Sequence, residues 1–425
     1  MIKSFLLSLS LLFLIGCSSH SDIDFNKEPY KKAFEQEDTY ILYALYAEEK
    51  KQYMAAAGLY EMLYKYSGKN EYKYRELANY LLAGKYDTLL EKCGTYQEED
   101  ESDLKLKRFE ILALIKLLRY DEAKEKALSL VDQTKATEDY LLVSEIYIKQ
   151  KHYDTALKYL ERAYTVDYDE AILDQMAVIL YVNLDRKSEA MAQLESHSRI
   201  HGCSAKVCMR LASFYSKQND IDGMLSTYLR LYESEPSDEV AEAIIRIYSY
   251  QKNMPKLLVF LEESRAHDPI LLQLYIEEHA YEKAAKLAKE LYEKEGDATY
   301  LAQSAIFRYE SAEDKNDKDM LHLVIKDLKR AIHDNPTPLS LNYLGYLMID
   351  HAIDVKEGME YVREALKIEP ESAFYLDSLA WGYYRENRCD KAQDIMKKVI
   401  KALGSDDAEV KKHIDAINRC LDKEN

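Results

Sequence analysis

The chain is poor in glycine and proline, with 12 and 7 among its 425 residues. That scarcity argues against β-sandwiches and long irregular loops and for helices throughout. It has a single tryptophan but 37 tyrosines. Tyrosine suits half-buried helix contacts in which the ring packs and the hydroxyl stays wet, so most of these read as packing residues. Positive charge is in deficit: 58 Lys and Arg stand against 76 Asp and Glu, a net charge of -18. No Lys/Arg stripe offsets that balance, so phosphate repulsion excludes nucleic acid as an expected partner. Beyond the amino terminus there is no apolar run long enough to cross a bilayer, which takes roughly 20 residues.

Signatures of catalysis are missing as well. There is no glycine-rich phosphate loop, no G-x-S-x-G, no H-E-x-x-H and no C-x-x-C-H. Paired carboxylates such as Glu262-Glu263 and Glu277-Glu278 occur in a chain that is 32% charged and read as solvated faces. The expectation is a protein that is not an enzyme, with no catalytic residue, no cofactor and no assigned metal.

The amino terminus, MIKSFLLSLSLLFLIGCSSHS, carries Lys3 ahead of an apolar run from Phe5 to Ile15 that breaks at Gly16-Cys17. The layout is that of a secretory signal, too short for a membrane-spanning helix. Leu14-Ile15-Gly16-Cys17 resembles the lipobox of bacterial lipoproteins. The resemblance implies cleavage after residue 16, diacylglycerol on the Cys17 sulfur and acylation of the new amino terminus, which together anchor stably. Ser18 in place of Asp, by the enterobacterial sorting rule, implies the outer membrane, lipid-anchored and facing the periplasm. Residues 17–36 then read as the lipidated cysteine and a polar tether.

Self-similarity organises the remainder. Tyr147, Tyr181 and Tyr215 are spaced 34 apart, as are Ala156, Ala190 and Met224, and then Leu160, Leu194 and Tyr228. The segment YLLVSEIYIKQKHYDTALKYLERAYTVDYD, residues 140–169, shows one unit: a helix ending near Lys149, a polar turn and a second helix from Tyr153. This pattern resembles the tetratricopeptide repeat, or TPR. The resemblance implies an all-α solenoid, a right-handed superhelix of about eleven helix pairs over residues 37–404. DDAEVKKHIDAINRCLDKEN reads as an amphipathic capping helix, residues 405–425. EDKNDKDM at 313–320 is expected to project as a loop, and Pro236, Pro336 and Pro370 fall at inter-repeat turns.

In TPR stacks the first helices line the inner groove. The last two units contain LNYLGYLMID (341–350) and YLDSLAWGYY (375–384), which resemble the LNYLGY…DSLGW pair of many bacterial TPR proteins, with Ala380 in place of the usual glycine. In that register Asn342, Tyr346, Asp377, Trp381 and Tyr384 point into the groove. There they form an anchor set for a protein or peptide partner. The competing reading is that Asn342 and Asp377 bond between neighbouring helices while Trp381 fills the stack. Lys206, Met209 and Ser213 stand where carboxylate-clamping repeats carry Lys and Asn, so that clamp is not reproduced. The implied function is a scaffold that supports assembly of an envelope complex, such as secretion, pilus, flagellar or outer-membrane machinery. A peptidoglycan- or polysaccharide-associated factor is the alternative.

The cysteines complete the reading. HSRIHGCSAKVC (197–208) sets two histidines beside two cysteines. In an oxidising compartment Cys203–Cys208 reads as a local disulfide, with free thiols or a metal site using His197 or His201 as the alternatives. Cys389 and Cys420 lie equidistant from Gly404-Ser405, the turn between the last two helices. A bond there closes a loop worth about 3–4 kcal/mol by the chain-entropy estimate. Cys93 reads as a buried apolar residue.

Overall fold

The structure is a computed structural model and describes residues 32–404 and 408–424. Cys17, the leader and most of the tether lie outside the described residues. The chain divides into two compact units, residues 1–240 and 241–425.

The first unit is a series of helical hairpins. These are α1 (Glu37–Glu49) with α2 (Tyr53–Ser67), α3 (Asn70–Leu82) with α4 (Tyr86–Gln97), and α5 (Leu104–Lys116) with α6 (Tyr120–Thr134). Then come α7 (Thr137–Lys149) with α8 (Tyr153–Asp167), α9 (Glu170–Val178) with α10 (Lys187–Ile200), and α11 (Ala205–Lys217) with α12 (Ile221–Ser234). A π turn, Ile179–Asn183, extends α9 and takes up an extra residue before the turn.

The helix α13 (Asp238–Tyr250) begins at the boundary and pairs in sequence with α14 (Met254–Ser264). The second unit continues with α15 (Asp268–Glu277) and α16 (Tyr281–Glu295), α17 (Ala298–Ser311) and α18 (Lys318–Asp334), and α19 (Pro338–Asp350) and α20 (Val355–Ile368). It ends with α21 (Ala373–Arg385), α22 (Cys389–Leu403) and α23 (Ala408–Glu424). Among the described residues there are no strands. The fold is an all-α solenoid of eleven helix pairs and one closing helix. The expected insertion at 313–320 is shorter than its sequence suggests. Asp317 caps α18 by accepting from the Met320 amide, and residues 318–320 form that helix's first turn.

The hairpin turns are built almost without glycine. In ten of the eleven pairs one residue of the intra-pair turn has positive φ, and only Gly84 among them is glycine. Lys51, Leu118, Lys151, Asp185, Asn219, Lys252, His279, Ala352 and Asn387 fill the same role, with φ between 51° and 61°. Each non-glycine residue there bears steric strain. The stack must repay it through the apolar contacts that the tight turn makes possible.

Small residues set the helix crossings. The last turns of α19 and first turns of α20 approach at Gly345 and Gly358: a Cβ on Gly345 would stand 2.5 Å from the Gly358 carbonyl oxygen. Buried alanines do this elsewhere, Ala123, Ala156 and Ala190 among them, while Leu130, Leu160 and Leu194 fill the adjoining gaps.

Polar side chains join neighbouring hairpins. Arg108 holds the buried Asp139 carboxylate with two bonds of 2.6 and 2.9 Å, and Arg210 holds Asp174 at 2.5 and 3.1 Å. Tyrosines do the same. The Tyr72 hydroxyl donates to Glu37 at 2.7 Å, Tyr74 to Asp103 at 2.7 Å, and Tyr215 to Glu195 at 2.9 Å. The excess of tyrosine and of acid is thus one feature, because many ring hydroxyls are not left to water but donate to carboxylates of the next helices.

Candidate functional site

The expected anchor residues lie on α19 and α21, in the second unit. Pro338 at the start of α19 removes a donor that would have no helical partner, and Thr337 with Ser340 forms a reciprocal cap. These devices fix where α19 begins and therefore which face carries Asn342 and Tyr346. Asn342 is half-buried, and its Oδ1 is buried without a hydrogen-bond partner.

Exposure at this site agrees with the competing reading for Trp381 and Asp377. Trp381 is only 5% exposed and Asp377 is buried too. Both are covered by α23, which packs on α21 and α22 as a further first helix. The Trp381 ring lies between Tyr384, with centroids 4.6 Å apart, and His413 at 4.1 Å, both nearly parallel to it. Its indole Nε1–H donates to Asp350 at 2.9 Å. His413 Nδ1 meets both Asp377 oxygens at 2.9 and 3.1 Å. The Tyr346 hydroxyl donates to Glu409 of α23. Tyr346, Asp377 and Trp381 are therefore in contact with the chain's own last helix, with Tyr384 stacked on Trp381. The indole and Asp377 are interior groups here, because a stacked imidazole and helix-to-helix hydrogen bonds replace water around them. Burial, then the Glu409 carboxylate, pushes the Tyr346 hydroxyl well above the ordinary tyrosine range.

Beside this lies a row that sequence reasoning missed. Tyr343 of α19 donates to Glu310 of α17, and Tyr309 of α17 bonds His351 Nε2 at 3.0 Å. Lys315 sits 4.5 Å over the Tyr309 ring. Burial pushes the Tyr309 hydroxyl up to about 12, and it lowers His351 against the pull of Asp350. Tyr309 and Tyr343 stand one 34-residue period apart, but they are not equivalents: Tyr309 is near the end of α17 and Tyr343 in the middle of α19, because the connection before α18 lengthens that repeat.

A recess opens in the first unit. A cavity of about 200 Å³ between α1, α2 and α3 is lined by Ile41, Leu45, Tyr60, Glu71, Tyr72 and Arg75. It combines apolar walls with one cation and one acid, a composition able to seat a side chain of an extended peptide.

At HSRIHGCSAKVC the structure joins Cys203 to Cys208, with Cα atoms 5.6 Å apart. His197 is buried, its Nδ1 2.7 Å from the Tyr164 hydroxyl and its ring 4.7 Å from that of His201. Among the described residues no group of three or more His, Cys, Asp or Glu is arranged to hold a metal ion. Cys389 and Cys420 are joined as well, Cα to Cα 6.0 Å, tying the start of α22 to the end of α23. Cys93 is free and buried, and burial pushes its thiol up to about 12. Lys206 and Met209 are exposed on α11 and Ser213 is half-buried. Among the described residues no helix is long and apolar enough to cross a membrane.

No family model matches the chain. Over 125 residues it is 30% identical to a BBSome complex member BBS4 homolog of Drosophila melanogaster, covering 29% of this chain and 25% of that protein. Over 104 residues it is 30% identical to a TPR repeat-containing protein of Pseudomonas aeruginosa, covering 24% of this chain and 17% of that protein. The chain thus spans a quarter or less of the length of these curated relatives. Among solved structures, the APC/C hetero-tetramer Cut9-Hcn1 is 12% identical, with 92% of this chain and 97% of that chain covered and a TM-score of 0.42. Yeast Tom70 is also 12% identical, with 92% and 97% covered and a TM-score of 0.33. The similarity is to helical-repeat proteins of the TPR kind.

Proposed function

We propose that this chain is a TPR-type scaffold, lipid-anchored through Cys17 to the outer membrane and facing the periplasm. It binds a protein partner along its first helices and supports assembly of an envelope complex. The recess between α1 and α3 carries the binding part of this reading: successive first helices present Ile41, Leu45 and Arg75 to one shared space. Repeats that each offer a few side chains to a common groove gain affinity by summing them. Of the C-terminal set Asn342, Tyr346, Asp377, Trp381 and Tyr384, the residues held by α23, Tyr346, Asp377 and Trp381, serve this role only where that helix gives way. Their first duty is to seat that helix. The leader and its Leu14–Cys17 motif support the location, and a TPR scaffold usually mediates protein contacts rather than chemistry.

The test has two arms. Labelled palmitate incorporated into the wild-type chain and not into Cys17→Ala, with the wild type in outer-membrane fractions, supports the anchor; unlabelled wild-type chain ends it. For binding, stoichiometric recovery of one protein complex from detergent-solubilised envelopes, lost on Leu45→Glu with Arg75→Glu, supports the scaffold. Recovery that depends instead on intact glycan, abolished by muramidase, selects the cell-wall reading. The aromatic–carboxylate row of Tyr343 and Glu310 favours that second reading in part, since both groups suit a hydroxyl-rich polymer.

A further inference from the structure

At Tyr43 and Tyr46 the first helix of the chain exposes positions that most later first helices bury. Leu42, Tyr43 and Tyr46 are 66%, 61% and 57% exposed. One hundred residues on, in the same register of α7, Leu142, Val143 and Ile146 are 2%, 0% and 0% exposed, packed against α5 and α6. Leu211 and Phe214 of α11 correspond to Tyr43 and Tyr46 and are likewise buried. The shape of this face is therefore that of a stacking surface awaiting a helix. At the other end of the chain α23 occupies the corresponding place.

Residues 18–31 offer no suitable cover: their apolar members are Ile23, Phe25 and Tyr30, without helical spacing and with Pro29 among them. The charges on α1 do specify a partner. Asp38 stands beside Glu37 in the first turn, and Lys50 and Lys51 follow Glu48 and Glu49 at the last; among the described residues Asp38 pairs with Lys32 and Lys50 with Glu49. An identical helix laid antiparallel puts Asp38 opposite Lys50 and Lys51, Leu42 opposite Tyr46, and the two helix dipoles head to tail. Both ends of the contact are then complementary, and the apolar middle closes on itself as a two-fold interface requires.

We propose that the α1 face is a self-association surface, taken by α1 of a second copy of this chain in antiparallel orientation. The groove partner plays no part in it. The experiment uses the full chain in cells with the photocrosslinker p-benzoylphenylalanine in place of Tyr46, co-expressed in two differently tagged forms. The expected product has twice the chain mass and carries both tags. Asp38→Lys is expected to reduce it several-fold, and Asp38→Lys combined with Lys50→Asp and Lys51→Asp to restore it. Leu42→Lys abolishes it while leaving the circular dichroism of the purified chain unchanged. Crosslinks only to lipid, to residues 18–31 of the same chain or to a different protein overturn the proposal. So does an absence of mixed-tag product, or a yield indifferent to the charge exchange.

Discussion

His413 on the last helix stands 2.9 Å from the carboxylate of Asp377, 36 residues earlier, and both groups are buried. The pair is what turns an amphipathic tail into a fixed part of the stack. His413→Ala leaves a buried carboxylate without its donor, a loss of about 1–3 kcal/mol, and removes the ring stacked on Trp381. Hydrogen exchange is the measurement: amides of residues 408–424 lose protection while those of α7 keep theirs. Equal protection of α23 in the variant would show that the pair contributes little.

Trp381 separates packing from recognition. A groove anchor, once truncated, costs binding and leaves stability alone. An indole held by Tyr384, His413 and Asp350 costs stability first, about 3–5 kcal/mol for Trp381→Ala. A melting temperature unchanged in that variant would return Trp381 to the role of an exposed anchor.

Helix pairs and crossings were legible because each depends on residues within one repeat, as with Ala156 and Leu160; the start of α18 was not, because the Asp317 cap is set in a charged run that reads as a loop. The register even placed Asn342, Tyr346, Asp377, Trp381 and Tyr384 together. Their surroundings stayed open between groove and stack, since they depend on where α23 comes to rest, 36 residues from Asp377 and 63 from Tyr346. Tyrosine–carboxylate pairs such as Tyr72–Glu37 escaped for the same reason: spacing predicts a helix face but not which acid of the next repeat the hydroxyl reaches. The π turn at Ile179–Asn183 hid inside an unbroken 34-residue period.

The two disulfides differ in loop length, with sequence separations of 5 and 31. Chain entropy assigns about 2 kcal/mol to Cys203–Cys208 and about 4 kcal/mol to Cys389–Cys420. Cys389→Ser with Cys420→Ser is therefore expected to lower the denaturation midpoint of the second unit more than Cys203→Ser with Cys208→Ser lowers that of the first. Reductant should reproduce both shifts in the wild type. A reversed order would mean that native packing, not loop closure, governs these bonds.

Leu118 offers a gain of stability. It has φ of 61° and is exposed, so its side chain contributes strain and almost no packing. Glycine relieves the left-handed penalty of about 1–2 kcal/mol and returns part of it as backbone entropy, about 0.5–1 kcal/mol. Leu118→Gly should raise the melting temperature slightly, and Gly84→Ala, the reverse change at the equivalent turn, should lower it. A destabilised Leu118→Gly would show that the exposed leucine packs after all.

The pH dependence follows from two histidines whose folded forms resist protonation. His197 is held below its ordinary 6.5 by burial and next by the neighbouring His201, and His351 by burial that outweighs Asp350. For both, the unfolded chain takes up a proton before the folded one does. Their contribution is complete above about pH 6.5 and declines as pH falls through that value toward their folded ones. Two carboxylates act lower down. Burial raises Asp103 and Glu195, but bonds from Tyr74 to the first and from Arg230 and Tyr215 to the second outweigh it and hold both below 3.8 and 4.5 respectively. Their stabilisation is present above those values and is lost only as pH falls beneath them. A melt series should therefore show two declines, a first as pH falls through about 6.5 and a second below about pH 4.5. His197→Gln keeps an acceptor for the Tyr164 hydroxyl but does not titrate; combined with His351→Gln it should flatten the first decline and leave the second. A first decline of unchanged slope in that double variant would assign it to groups other than these histidines.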